Sequence, residues 1–295
     1  MMITVFTPTY NRGYIIKNLY QSLKRQTVKD FEWIVIDDGS TDNTENLFEI
    51  YKSENNEFNI YYEKVANGGK HRAINKGVAK AQGKLFFIVD SDDYLTDDAI
   101  EKIIDLEESI GDEQKKYFAG VCENKGYSQN EVVGCTFDSE GEIDITMLER
   151  ERYGIYGDKA EVFYSEILRK YPFPEFEGEN FLTECVVWDK MAYDGYKLRF
   201  ANDIIYICDY LPDGLTAHYD ELYEKNPAGY GLYIYQSGKF GKKYGIEKWK
   251  EYFKYYNKFT PRLGLSKTAA YLHINPIKLF FRIFGMKVFY KLYDC

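Results

Sequence analysis

The sequence lacks any run approaching the roughly 20 apolar residues needed to span a bilayer, so it does not read as a membrane-spanning chain. Its start has no basic stretch leading into a long apolar one, and no secretory leader is expected. Histidine is scarce, with three residues, and the five cysteines (Cys122, Cys135, Cys185, Cys208, Cys295) are scattered and odd in number. That pattern is neither a disulfide framework nor a zinc site, and a reducing cytoplasm is the expected compartment. An excess of basic charge is missing too. The 38 Lys and Arg against 47 Asp and Glu give a net charge of −9, which argues against a nucleic-acid surface. Neither the Walker spacing nor a GxGxxG fingerprint occurs, which disfavours nucleoside triphosphate hydrolysis and dinucleotide binding.

What is present is enough for a full core. The 295 residues are 45% apolar, sufficient for one large α/β domain or a domain with an appendage. Aromatics make up 18%, with 29 Tyr and 20 Phe. Tyrosine in such numbers suits a surface that is half apolar and half wet, of the kind carbohydrates meet; a compositional habit would give the same count. The charge is unevenly spread. Residues 262–293 hold six basic residues (Arg262, Lys267, Lys278, Arg282, Lys287, Lys291) and no acid.

The first hundred residues alternate as βαβαβαβ. MITVFTP, FEWIVID, FNIYYEK and KLFFIVD read as strands. Helical spacing is found over residues 14–26, from Asp42 with Glu45 as a capping box through Tyr51, and over residues 70–81. Such alternation implies a doubly wound, mostly parallel sheet. The second hundred residues predict a mixed-sheet half, with strands in KYFAGVCEN, EVVGC and LRFANDIIYICDY and a helix over residues 181–193. From Glu221 onward the pattern is helical and aromatic, with breaks expected at Pro261 and Pro276.

Ligands of open α/β sheets sit beyond the carboxyl ends of the strands. The residues there are Thr7 to Arg12, Asp37 with Asp38, and Asp90 to Asp93. Three carboxylates within Asp90-Ser91-Asp92-Asp93 repel one another unless a cation sits among them, and hard oxygens suit Mg²⁺ or Mn²⁺ bridging to a substrate phosphate. A solvated loop capping a helix near Thr96 would use the same residues. Asp37-Asp38-Gly39-Ser40 offers a carboxylate to a base or ribose, or is a plain turn. Asn67-Gly68-Gly69-Lys70-His71-Arg72 places two glycines and basic residues at a helix N-terminus, a plausible anion cradle.

FTPTYNR, VIDDGSTDNT, NGGKHRAINKG and FFIVDSDD, in this order and spacing, together resemble the inverting family 2 glycosyltransferases of GT-A fold. The resemblance is dense over the first hundred residues and looser over the next hundred. It implies a Rossmann-like mixed sheet flanked by helices in a catalytic domain at 1–220. Residues 1–110 would be the nucleotide-sugar half, 111–220 the acceptor half, and 221–295 a C-terminal helical extension. It further implies that Pro8, Thr9, Tyr10, Arg12, Asp37, Asp38, Asn67, Gly69, Lys70, Asp90 and Ser91 hold a nucleotide-sugar donor, commonly a UDP-sugar. Asp92, with Asp90, would bind the metal.

Inversion needs a base on the acceptor side, which in the family is an acid opening a helix with an aromatic one turn later. Thr183-Glu184-Cys185-Val186-Val187-Trp188 places Glu184 there, with Thr183 where the family carries another Glu; Glu177 and Glu179 compete. His218 follows the last expected strand of the catalytic half and is a further candidate metal contact. The Gln-x-x-Arg-Trp signature of the processive members is absent, so single addition to a glycan or lipid-linked acceptor is expected. A nucleotidyltransferase would want a Gly-rich, Arg-containing loop after the first strand, which FTPTYNR is not. A catalytically inactive nucleotide-sugar-binding or scaffold protein of the same fold is the other reading, against which the intact Asp90 and Asp92 speak.

Residues 277–292 are rich in large apolar side chains, and as one helix they leave no clean polar face unless Gly285 divides them. Burial against protein, self-association, or peripheral contact with an anionic membrane at the inner face of the cell membrane are the expectations there.

Overall fold

The computed structural model describes residues 1–138, 141–208, 211, 214–241 and 249–293. Four parallel strands open it: β1 (Ile3–Thr9), β2 (Phe31–Asp37), β3 (Asn59–Lys64) and β4 (Leu85–Ile88). The first three are joined to the next strand by α1 (Lys17–Arg25), α2 (Thr44–Ser53) and α3 (Lys70–Lys80) respectively. Then come β5 (Tyr94–Leu95), α4 (Ala99–Glu108), β6 (Phe118–Ser128), β7 (Glu131–Val132), β8 (Ile143–Ile145), β9 (Lys159–Tyr164), α5 (Ser165–Leu168), α6 (Cys185–Tyr193) and β10 (Lys197–Ile207). The main sheet runs β3-β2-β1-β4-β9-β6-β10-β5. β9 is antiparallel to both its neighbours, while β10 and β6 are parallel. This is the mixed sheet expected of a GT-A domain.

β1 and β2 are buried along their whole length, which is why they read as nearly continuous apolar runs. Of the two acids in β2, Glu32 accepts bonds from the Thr4 hydroxyl at 2.6 Å and the Gln82 N–H at 2.8 Å. α3 lies directly on β1: a Cβ at Gly77 would stand 2.2 Å from the Phe6 ring. That close approach fixes where the N-terminus of α3, and hence Lys70, meets the sheet edge.

Several elements differ from expectation. β9 was not anticipated; its six residues fill the gap between the parallel half and the second half of the sheet. Asp42 and Glu45 do not form a capping box. Asp42 does hold the Thr44 N–H at 3.0 Å, but Glu45 pairs with Lys64 at 3.0 Å instead of reaching back. The helix at 181–193 begins only at Cys185, because residues 179–181 are bonded to the start of α8, as described below.

The C-terminal helices are α7 (Tyr219–Lys225), α8 (Pro227–Gly241), α9 (Trp249–Tyr271) and α10 (Pro276–Tyr293). Ile234, Tyr252, Tyr255, Phe259, Ala269, Leu272, Leu279 and Ile283 form a second core of their own. The break expected at Pro261 lies at Gly264 instead, whose φ of 76° is open to glycine. Pro276 opens α10, and the Asn275 side chain caps it by accepting from the Ile277 and Lys278 N–H groups. Gly285 does not divide this helix. Among the described residues no helix is long and apolar enough to cross a membrane.

Candidate active site

The carboxyl ends of β1, β2 and β4 meet at one edge, as the alternation predicts. Thr9, the last residue of β1, has a buried hydroxyl with no hydrogen-bond partner. Tyr10 beyond it is about half exposed. Asn11 takes a left-handed φ of 53°, its N–H donating to the Ser40 hydroxyl at 2.8 Å and its side-chain oxygen accepting from the Thr41 N–H at 2.8 Å. These bonds join the loops after β1 and β2 beside a shallow, open cleft lined by Asn11, Gly13, Tyr14, Thr41, Asp42 and Asn43.

Asp37 and Asp38 are both engaged by the protein. Asp37 is buried, accepting from the Ser40 N–H at 2.7 Å and from the Tyr62 hydroxyl at 2.6 Å. Asp38 accepts from the N–H groups of Gly68 and Gly69 at 2.7 and 2.8 Å, and Asn67 donates to its carbonyl at 2.8 Å. The two donors that an anion cradle would offer are therefore already held by a carboxylate. Gly69 is required for a different reason. Its φ is 95°, and a Cβ there would stand 1.8 Å from the Asn180 carbonyl oxygen. Arg72, also a candidate for phosphate, instead reaches the carbonyls of Gly68, Phe176 and Glu179 and pairs with Glu175 at 3.1 Å.

These contacts press the 67–69 loop against 179–181, and the start of α8 grips the same segment from the other side. Glu179 accepts from the Ala228 and Gly229 N–H groups at 2.7 and 2.8 Å, while the Asn226 side-chain oxygen accepts from the Asn180 and Phe181 N–H groups. Glu179 is thus a helix cap, with both oxygens committed. Glu177 is exposed on the preceding loop. Glu184, at the N-terminus of α6, faces the sheet edge.

There one cation joins both halves. The Lys70 ammonium lies 2.7 Å from the Asp90 carboxylate and 2.9 Å from that of Glu184. Burial works against its charge, but the two carboxylates outweigh that and hold its pKa well above the usual lysine range. Burial likewise pushes Asp90 up, yet the charges of Lys70 and Lys125 prevail and hold it low. Asp92 behaves in the opposite way: burial and the neighbouring Asp90 charge raise it, and its nearest cation, Arg12, stands 3.7 Å off. Asp93 is pushed up to about 7 by burial and by Asp90.

Two residues not anticipated from the sequence complete the floor. The Tyr206 hydroxyl accepts from the Asp90 N–H at 2.9 Å and donates to Asp93 at 2.6 Å. The Lys125 ammonium sits 4.0 Å from the centre of the Tyr206 ring. Tyr206 and Lys125 are register partners on β10 and β6, so strand pairing brings them together. The strand expected in KYFAGVCEN runs on through Lys125 in the structure, and a lysine so placed needs partners.

Among the described residues no group of three or more His, Cys, Asp or Glu side chains converges into a metal cage. His218, exposed at the end of a short helical turn, joins no such group. A cation here would be of the kind held by one or two carboxylates and completed by substrate phosphate oxygens. Asp92 fits that role, since a cation would relieve the repulsion that raises it.

Residues 4–133 match the family model described as Glycosyl transferase family 2. Over these residues the chain carries a family 2 glycosyltransferase domain. Over 213 residues it is 26% identical to the glycosyltransferase GlyG of Streptococcus pneumoniae, covering 70% of each chain. Over 188 residues it is 25% identical to the GalNAc(5)-diNAcBac-PP-undecaprenol beta-1,3-glucosyltransferase of Campylobacter jejuni, covering 63% of this chain and 58% of that one. Residues 1–349 of TarS from Staphylococcus aureus, solved in complex with UDP-GlcNAc, share the fold with a TM-score of 0.62. The identity is 19%, over 89% of this glycosyltransferase and 73% of that chain. A mannosyltransferase of Pyrobaculum calidifontis, solved with GDP-Man and Mn²⁺, follows at 0.53 and 17%, over 99% and 81%. The fold of the glycosyltransferase is accordingly GT-A.

Proposed function

We propose that this glycosyltransferase moves a sugar from a nucleoside-diphosphate donor, a UDP-sugar, to a hydroxyl of a glycan or lipid-linked acceptor with inversion at the anomeric carbon. The observation that carries the reading is the Lys70 bridge, which holds the donor-side Asp90 and the acceptor-side Glu184 on one ammonium. TarS, crystallised with UDP-GlcNAc, supports the choice of uridine donor.

In this reading the loops after β1 and β2, with Tyr10, receive the base and ribose, and Arg12 lies beside the diphosphate. Asp92, with Asp90, would hold Mn²⁺ or Mg²⁺, which would supply positive charge to the departing diphosphate; the Mn²⁺ in the Pyrobaculum mannosyltransferase supports this. Glu184 accepts the proton of the acceptor hydroxyl as that oxygen bonds to the anomeric carbon and the bond to the diphosphate oxygen breaks. Attack opposite the leaving group inverts the centre. Lys70, 2.9 Å away, keeps the Glu184 carboxylate aimed. Glu179, committed to its cap, does not serve as the base, and Glu177 stands outside the cluster.

The test is donor binding. A panel of nucleotide sugars is screened by thermal shift with Mn²⁺ and with EDTA, for the native chain and Asp92→Asn. A uridine donor should raise Tm in Mn²⁺ for the native chain and lose most of that shift in EDTA or in the variant. A shift indifferent to both would contradict the metal assignment, and a shift with no uridine donor would contradict the donor.

A further inference from the structure

α10 lies on α9 through Leu279 and Ile283, both essentially fully buried. The other side of the same helix carries Ile277, Phe280, Phe281 and Phe284, which are 67%, 46%, 66% and 58% exposed. At about 100° per residue these four fall within an arc of roughly 100°, centred well away from the buried face. Phe280 and Phe284 lie side by side, ring centres 6.4 Å apart and nearly parallel, with Phe281 edge-on to Phe280. Four large apolar side chains standing out of one helix turn face are an interaction surface rather than scattered exposure. Lys278 lies about 60° beyond one edge of the arc and Arg282 about 40° further round, on the side of the helix above the apolar face, and both are exposed.

We infer that this face docks on an anionic lipid bilayer, with the phenylalanines entering the headgroup and acyl boundary while Lys278 and Arg282 meet lipid phosphates. Charge selects this occupant. Residues 262–293 carry six basic residues and no acid, in a chain of net charge −9. A second copy would bring the same positive charge to the same face in a two-fold contact, whereas an anionic surface brings the opposite one. No helix among the described residues crosses a membrane, so the mode is a helix lying in the interface. The inference does not depend on the donor or the base proposed above.

The test is co-sedimentation of the full chain with unilamellar vesicles of phosphatidylcholine alone and of phosphatidylcholine with phosphatidylglycerol at three to one. Light scattering of the chain without lipid is measured alongside. The native chain should partition onto the anionic vesicles and little onto the neutral ones, with binding weakened by high salt. The triple substitution Phe280→Ser, Phe281→Ser, Phe284→Ser should lower partition at least about tenfold. The pair Lys278→Glu and Arg282→Glu should abolish the preference for anionic vesicles. All the altered side chains are exposed, so far-UV circular dichroism should be unchanged. Equal sedimentation of native and triple variant, or no native binding to anionic vesicles, would overturn the proposal. A native dimer that the triple variant converts to monomer, without vesicle binding, would overturn it in favour of self-association.

Discussion

Glu179→Ala separates the helix cap from the base in one experiment. Both carboxylate oxygens of Glu179 accept backbone N–H bonds, from Ala228 and Gly229, at a site 9% exposed. Truncation leaves two donors at the start of α8 without an acceptor and removes a negative charge from a helix N-terminus. Bonds to a charged acceptor are worth about 1.5–3 kcal/mol each, and some of this returns through water. The expected cost is about 3 kcal/mol, which for a chain of this size lowers Tm by roughly 6–12 °C. Glu179→Gln keeps one acceptor oxygen and should fall about half as far. The assay is a far-UV melting curve for each variant beside donor turnover measured well below the lower Tm. Turnover per folded molecule should stay within about tenfold of native, because no reacting group has been removed. An unchanged Tm with abolished turnover would refute the reasoning and make Glu179 the base.

Three further outcomes follow from other parts of the structure. Lys70→Met leaves Asp90 and Glu184 facing each other without their shared cation; turnover should fall by about a hundredfold or more and Tm should drop, with Lys70→Arg recovering part of both. Gly69→Ala puts a Cβ into the Asn180 carbonyl at a φ of 95°, so donor turnover should fall and stability should drop by about 2 kcal/mol, read by thermal melting. Glu123, buried on β6 beside Asp203, is pushed up to about 8. It stays protonated in the folded chain after the unfolded chain has lost the proton, so stability is full below the ordinary glutamate pKa and is lost as pH rises through about 8. Glu123→Gln should therefore melt close to native near pH 4.5 and gain up to about 5 kcal/mol over it at pH 9.

The parallel half of the fold was legible because β1, β2 and β4 are buried on both faces and its helices are amphipathic. β9 was not, since KAEVFY is short and its place between β4 and β6 is set by pairing with segments far away along the chain. The acids of the site were visible as clusters at strand ends. Their partners were not: Lys125 and Tyr206 belong to no motif and meet only through the register of β6 and β10. The sequence also left the glycines of 68–69 open to an anion, whereas the Asp38 carboxylate takes their N–H groups. The choice among Glu177, Glu179 and Glu184 rested on distances that spacing does not carry. The cap on α8 and the Lys70 bridge supply the geometry that favours Glu184.

The most direct measurement is the rate of uridine diphosphate release from a productive UDP-sugar with its acceptor in Mn²⁺, native against Glu184→Gln, beside donor affinity for both. The glutamine keeps the shape of the side chain but takes no proton. The account predicts a fall of about a hundredfold or more in turnover with donor affinity little changed. Equal turnover in the two proteins would contradict it.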